Sequence, residues 1–417
     1  MSAIDDHVVG WTAQTEDVPL RQLVAVPVDV GKASAMAMAC DFTRRTIMPA
    51  VEFPLTRSGV AGMLAGLRQA LPANTRLVRV GVEAAGHYHQ PMITPGVWPQ
   101  GWQVLELNPA HVTAQRRVNG SRGVKTDRID LVAIADLLLA GRGVPVVLGD
   151  APLVALQAWV AHRRRRVEVR TATKNQLLGQ LDRAFPGLGE ALTDVLGSKV
   201  GRLIAADFAE PDRLARLGVE RFRAYAARRD VRVTRPIAER LVAAARDALG
   251  TPGAAVAREV LAADLALLND LDHQIGDAKT RIAALLPATD YQVLTTTPGW
   301  SNVRVAGYAA ALGPRCRWAS AAKIYRAAGL TPTQYESAGR RRDGGISREG
   351  SVALRRALIE LGIGLWQRDP ASRTYAHTLR ERGKPGGIIA CALAHRANKI
   401  AFAMLRHQTP FDPTRWS

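Results

Sequence analysis

LVAVPVDVGK, residues 23–32, and KTDRIDLVAIADLL, residues 125–138, decide the fold between them. The first is a strand-like run that stops at an acid and a glycine. The second opens on two acids and continues as an apolar helix. Asp29 sits at an inward strand position, and Gly31 beside it lets a backbone pass close to a phosphate. LVRVGVEAAG, residues 77–86, repeats the pattern of strand then acid at Glu83. Asp127 and Asp130 are three apart and share one helix face. Four carboxylates placed this way meet at one edge of an α/β sheet. An all-oxygen set suits Mg²⁺, which prefers carboxylate and water ligands.

Each acid also has an ordinary reading. An Asp that ends a strand is a turn former, and Glu83 is a strand-edge charge. Asp127 is the N-cap of its helix and Asp130 a first-turn acid that complements the helix dipole. One metal-dependent phosphodiester site accounts for all four positions together. Two Mg²⁺ ions about 4 Å apart would clamp the attacking and leaving oxygens of an in-line displacement. Lys125 either touches the scissile phosphate or faces solvent.

Outward from these stretches, MAMACDF (36–42) and IMPAVEF (47–53) read as two further strands, and SGVAGMLAGLRQAL (58–71) as a helix. WQVLELNP (102–109) is a strand ended by Asn108-Pro109, a helix runs from Asp127 to Leu139, and VPVVLGD (144–150) adds a short strand. Three strands, helix, strand, strand, helix is the order of an RNase H-like domain, placed at 22–155 after a loose tail over 1–21. Residues 156–285 are helical. Within 237–286 two long helices break at GTPG, residues 250–253, and Leu and Ile recur at intervals of three and four, as in a coiled-coil seam. Packing within one subunit and self-association both satisfy that seam. Residues 286–417 are again mostly helical. TTTPGWSNVRVAGYAAALG (295–313) is either a helix-hairpin-helix, which offers amides to a phosphate, or a plain αα-turn.

The second chemical constellation is GLTPTQYESAGRRRDGGISREGSVALRRALIELG, residues 329–362. It joins a Pro-marked loop, Ser337, Arg340, Arg341 and Arg342, a glycine pair, and Arg355 and Arg356 on the next helix. Ser347 and Ser351 suit turn or capping roles. Ser337 lies just before three arginines able to neutralise a phosphate and the charge developing on it. Other basic groups are Arg163 to Arg166, a run after a helix, and the looser Arg221–Arg235 cluster. His87 and His89 in GHYHQP suit polar packing or a phosphate contact better than a metal.

Composition narrows the partners. The 417 residues carry 56 Lys and Arg against 37 Asp and Glu, a net charge of +19, which favours polyanions. No apolar run reaches the ~20 residues that span a bilayer, so nucleic acid is expected and a membrane is not. The first residues lack the basic start and apolar core of a signal peptide. Cys40, Cys316 and Cys391 form no CxxC pair, which argues against zinc and a disulfide framework. It suits a reducing cytoplasm, with all three as small buried hydrophobes.

VDVGK, VEAAGHYHQPM, LNPAHVTAQRRVNGSRGVKTDRIDLVAIA, TPGW and GLTPTQYESAGRRRDGGISREGSVALRRAL together resemble the DEDD transposases of the IS-one-ten (IS110) family. These are insertion-sequence recombinases guided by a bridge RNA. The resemblance runs from about residue 23 to 406. It implies a RuvC-like domain whose four acids are Asp29, Glu83, Asp127 and Asp130, a coiled-coil link, and a C-terminal transposase domain whose nucleophile, by distance from Pro332 and Ile346, is Ser337. It further implies a tetramer whose active sites combine the acids of one subunit with the serine of another. A guide RNA would pair with target and donor DNA, and the protein would work in the bacterial cytoplasm at the nucleoid. Ala338 departs from the family's usual Gly, and Leu131 from its commoner Ala. Two other classes remain open on the residues alone: a metal-dependent nuclease using the four acids, and a nucleic-acid-binding regulator without catalysis.

Overall fold

The computed structural model describes residues 18–84, 86–94, 96–120, 123, 126–147, 149–337 and 340–416, the side chains of 334–343 excepted. Two compact units divide the chain, Met1–Leu148 and Gly149–Ser417.

The first unit runs β1 (Leu23–Val30), β2 (Ser34–Asp41), β3 (Thr46–Pro54), α1 (Arg57–Ala70), β4 (Leu77–Glu83), β5 (Gln103–Leu107), α2 (Pro109–Val118), α3 (Asp127–Leu139) and β6 (Val144–Pro145). Among the described residues six strands form one mixed sheet, in the order β3-β2-β1-β4-β5-β6. β1 pairs antiparallel with β2 and parallel with β4; the parallel pairing requires a crossover, which includes α1. Pro27 survives in this central strand because the β1–β2 ladder skips from Ala25 to Val28, so its missing N–H breaks no pair there. Val24, Val26, Val28, Val78, Val80 and Val82 pack over Met63, Leu64 and Leu67 of α1. On the other face Ala25, Cys40, Leu105 and Leu107 meet Ile134 and Leu138 of α3. Gly81 permits that approach: a Cβ there would stand 2.7 Å from Leu138 Cδ2.

This is the expected element order, with three corrections. Asn108-Pro109 ends β5 and also starts α2: the Asn108 side chain accepts from Ala110 N at 2.9 Å and Pro109 occupies the first turn. The strand expected over 144–150 is only Val144–Pro145. Thr126, not Asp127, is the N-cap of α3, accepting from Ile129 N at 3.3 Å.

The second unit holds α4 (Ala151–Ala184), α5 (Lys199–Asp207), α6 (Pro211–Ala227), α7 (Arg235–Asp247), α8 (Ala254–Leu285), α9 (Asn302–Leu312), α10 (Ala321–Ala327), β7 (Pro332–Ser337), β8 (Arg340–Ile346), α11 (Val352–Arg368), α12 (Pro370–Glu381) and α13 (Gly386–His407). The break at GTPG is present between α7 and α8. α8 runs antiparallel to α4: Thr251 Oγ1 donates to the Arg183 carbonyl at 2.5 Å, and Arg170 meets Asp272 at 3.1 Å. Leu261, Leu265, Leu268, Leu271 and Ile275 of the seam are buried with this chain's own α4 against the helix. Arg163 to Arg166 lie in the middle of α4 rather than after a helix. Arginine is a good helix former, so a basic run does not break one.

β7 and β8 form a hairpin with Pro332 opposite Ile346 and Ser337 opposite Arg340, where a loop in a mostly helical region was expected. The Thr-Pro-Gly-Trp turn follows a 3-10 segment, Asp290–Thr296, and is turned inward. Gly299 has φ 81°, a Cβ on it would lie 2.0 Å from the Gly364 carbonyl oxygen, and Trp300 Nε1 donates to Leu361 O at 2.9 Å. It is a packed turn against α11. α13 is, by length and composition, apolar enough to cross a membrane, an exception to the expectation above. Half of its apolar window is buried, and it packs on α11 and α10.

Candidate active site at the edge of the sheet

Strand register lines up the acids. In the parallel ladder Val28 faces Val82, so the next residues, Asp29 and Glu83, stand side by side on the α3 face. In the antiparallel ladders Asp29 faces Met36 and Met36 faces Glu52. Glu52, Met36, Asp29 and Glu83 therefore form a row across four strands. A cavity of about 190 Å³ opens there, lined by Asp29, Gly31, Ser34, Met36, Glu52 and Asp127. Ser34 Oγ donates to Glu52 Oε1 at 2.7 Å. The structure thus brings Asp29 and Asp127 to one cavity and sets Glu83 beside Asp29.

Asp127 is exposed at the first position of α3. With Thr126 as cap, its carboxylate is not spent on the helix end. Asp130, one turn on, is 1% exposed and pairs with Arg116 Nη1 at 2.5 Å. Arg116 Nη2 also donates to Thr113 Oγ1 at 2.8 Å. Asp136 is buried too, taking Asn119 Nδ2 at 2.7 Å and Arg44 Nε at 2.9 Å. These two pairs tie α3 to α2 and to the β2–β3 connection. Burial first, then the charges of Asp41 and Asp136, push the Cys40 thiol up to about 11, against the opposing pull of Arg44, so it packs as a neutral group. Cys391 is half-buried, but Cys316 is exposed, contrary to expectation.

The charged groups that line the cavity, Asp29, Glu52 and Asp127, are all carboxylates, the chemistry a hard divalent cation takes. As placed, and among the described residues, no three His, Cys, Asp or Glu side chains stand close enough together to hold a metal. Convergence is therefore of position and donor type. Asp29 and Asp127 share a cavity, Glu83 adjoins by register, and Asp130, one turn further along α3, is buried and held by Arg116.

The remaining expected residues divide. Lys125 and the side chains of Ser337, Arg340, Arg341 and Arg342 lie outside the described residues; the backbone puts Ser337 at the end of β7. Arg355 donates to the Ala328 carbonyl at 3.0 Å, which fixes the chain before β7, while Arg356 is exposed on α11. Ser351 caps α11, accepting from Leu354 N at 3.2 Å. His89 is buried with Nε2 3.9 Å from Glu106. Glu106 faces Val82 in the ladder, so that pair belongs to the opposite sheet face. Sequence reading missed Glu52, Arg116 and Asp136. Alternation in IMPAVEF hints at Glu52, but only the β2–β3 register shows that it reaches Asp29.

A mixed sheet with acids at the ends of β1 and β4 and at the start of α3 is consistent with the nuclease-like domain of a DEDD transposase. A family model of that IS110 type, described as "Transposase", matches residues 26–186, and one described as "Transposase IS116/IS110/IS902 family" matches residues 291–377. The chain is 28% identical over 302 residues to the "Insertion element IS900 uncharacterized 42 kDa protein" of Mycobacterium paratuberculosis, covering 69% of this chain and 73% of that protein. It is 28% identical over 300 residues to the "Insertion element IS110 uncharacterized 43.6 kDa protein" of Streptomyces coelicolor, covering 69% and 72%. A "Probable family 20 transposase" of Pseudomonas aeruginosa is 27% identical over 159 residues, 35% of this chain and 47% of that protein. The chain belongs to the IS116/IS110/IS902 family of transposases. Membership implies a DNA-binding enzyme of transposition and suggests the use of a divalent metal.

Proposed function

We propose that this transposase excises and inserts an insertion sequence by Mg²⁺-assisted strand cleavage through a covalent phosphoserine link to DNA. The observation that carries the reading is the cavity shared by Asp29 and Asp127, with Glu83 beside Asp29 in the strand register. Asp29, Glu83, Asp127 and Asp130 are the residues that would hold the cations. When bound there, Mg²⁺ would supply positive charge to offset the charge that develops on the reacting phosphate. Ser337 Oγ attacks phosphorus. A new P–O ester forms as the P–O bond to the neighbouring deoxyribose breaks, and that oxygen leaves as a hydroxyl carrying the proton the serine gave up. The ester keeps the bond energy, so attack on it by a deoxyribose hydroxyl rejoins strands without ATP. Arg340, Arg341 and Arg342 neutralise the phosphate, and Lys125 contacts it. In this reading a structured guide RNA pairs with donor and target DNA, which leaves sequence choice to base pairing. Four subunits assemble so that the acids of one act with the serine of another, in the bacterial cytoplasm.

The test compares two variants on labelled element-end DNA. Asp127→Asn is expected to abolish Mg²⁺-dependent strand breakage while RNA binding persists; normal cleavage would remove Asp127 from the site. Ser337→Ala is expected to abolish the protein–DNA adduct seen on a denaturing gel. Undiminished cutting by that variant would mean a nuclease that uses the acids alone.

A further inference from the structure

A second surface in the same chain has the composition of a nucleic-acid contact. α11, α12 and α13 enclose a groove of about 190 Å³ with Ile363, Ile389 and Leu393 in its floor and Trp366, Arg373 and Arg380 among its walls. Trp366 is 41% exposed, an indole left in water at the mouth of an apolar slot. Arg373 is anchored by donating Nη2 to the Gln367 carbonyl at 2.8 Å, which holds its guanidinium beside the groove. His377, also in the lining, sits 3.2 Å from Glu381. Around the groove Arg368, Arg382 and Lys384 are exposed. Of the two nearby acids, Asp369 is buried and caps α12 by accepting from Ser372 N at 2.9 Å, and Glu381 is exposed with its carboxylate beside His377.

We propose that this groove binds single-stranded DNA, one base stacking on Trp366 and the flanking phosphates meeting Arg373 and Arg380. The proposal rests on the transposase reading, because strand cleavage and exchange produce unpaired DNA. Charge decides the class of occupant. A strand of phosphates complements the rim, and a base offers a flat apolar face to the indole, the combination that sequence-tolerant single-strand sites use. A second copy of the same face would set Arg373 and Arg380 against themselves. Duplex DNA keeps its bases stacked and offers none to the indole.

The experiment follows fluorescence anisotropy of a labelled short oligo(dT) with the full chain, in parallel with a duplex and with oligo(U). Trp366→Ala is expected to weaken oligo(dT) binding roughly 5- to 150-fold, the worth of one stacked base. Trp366→Phe is expected to restore most of it, and duplex binding is expected to stay unchanged. Arg373→Gln with Arg380→Gln is expected to flatten the salt dependence. Because the 41% exposed indole still buries more than half of its surface, each variant's melting curve is recorded beside its affinity, and Trp366→Phe, which keeps a packed ring, separates lost stacking from lost packing. If Trp366→Ala binds oligo(dT) like the parent, the groove is not a stacking site. If oligo(U) loses affinity and oligo(dT) does not, the occupant is RNA. If Trp366→Ala changes the sedimentation coefficient and not the affinity, the face joins subunits. If the parent binds neither duplex nor oligo(dT), the DNA reading itself fails, a result distinct from loss of the groove alone.

Discussion

Replacing Asp130 by alanine, read without metal, isolates its part in holding α3 in place from any part in binding cations. Its side chain is 1% exposed and the Arg116 side chain opposite is 16% exposed. Truncation leaves the guanidinium desolvated with no carboxylate across from it, a loss of about 3–5 kcal/mol for a buried pair broken on one side. Arg116 retains its bond to Thr113 Oγ1, which favours the lower end. The pair lies in the unit Met1–Leu148, and for a domain near that size each kcal/mol moves the midpoint by roughly 2–4 °C. Asp130→Ala is therefore expected to lower Tm by about 6–20 °C. Asp127→Ala removes an exposed first-turn acid whose interaction with the helix dipole is worth about 0.3–1 kcal/mol, since Thr126 carries the cap. Replacing both partners by apolar residues, Arg116→Met with Asp130→Leu, is expected to recover most of the loss. Thermal unfolding by calorimetry in EDTA reads all three, with metal contributions removed. Equal Tm values for Asp130→Ala and Asp127→Ala, or a double variant no better than the single one, would refute the reasoning.

Four further outcomes are expected. Gly299→Ala places a side chain at φ 81° and 2.0 Å from the Gly364 carbonyl, so denaturant unfolding is expected to show a loss of about 2–6 kcal/mol; Gly276→Ala in α8, with open space around it, is expected to gain about 0.5–1 kcal/mol. Burial pushes the Asp272 carboxyl up, but hydrogen bonds from Arg202 and Arg170 outweigh it and hold the group below its ordinary value. Its contribution is therefore present above the unfolded value near 3.8 and lost as pH falls through the lower folded one. Asp272→Asn, which lacks the titrating group, is expected to lose less stability on acidification than the parent; an acid titration in which it loses as much would contradict that linkage. DNA binding measured from roughly 50 to 200 mM salt is expected to fall by about 10³–10⁵ if some 6–10 phosphates are neutralised; a flat response would contradict the polyanion assignment.

Much of the first unit was legible because its signals are local. Alternating Val in residues 23–30 and 77–83 marks buried strands, and the apolar run after Thr126 marks a helix that spans Asp127–Leu139 as expected. The Asn-Pro at 108–109 was read as a stop, although Asn is also a good cap and Pro a good first-turn residue; only the chain beyond decides which role holds. The hairpin of β7 and β8 was missed because Arg, Asp and Gly carry no strand periodicity. Its pairing comes from the ladder between Pro332–Ser337 and Arg340–Ile346.

By itself the chain determined which residues carry charge, the strand-then-acid pattern at Asp29 and Glu83, and the helix that begins at Asp127, because these follow from side-chain type and short-range periodicity. Only the tertiary structure decided that Glu52 reaches the row of Asp29 and Glu83, that Asp130 is held by Arg116, and that the seam of α8 is covered within the chain. Those outcomes depend on strand register and on close approaches such as Gly81 beneath Leu138. They are relations between distant segments, and no local pattern encodes the distance between them.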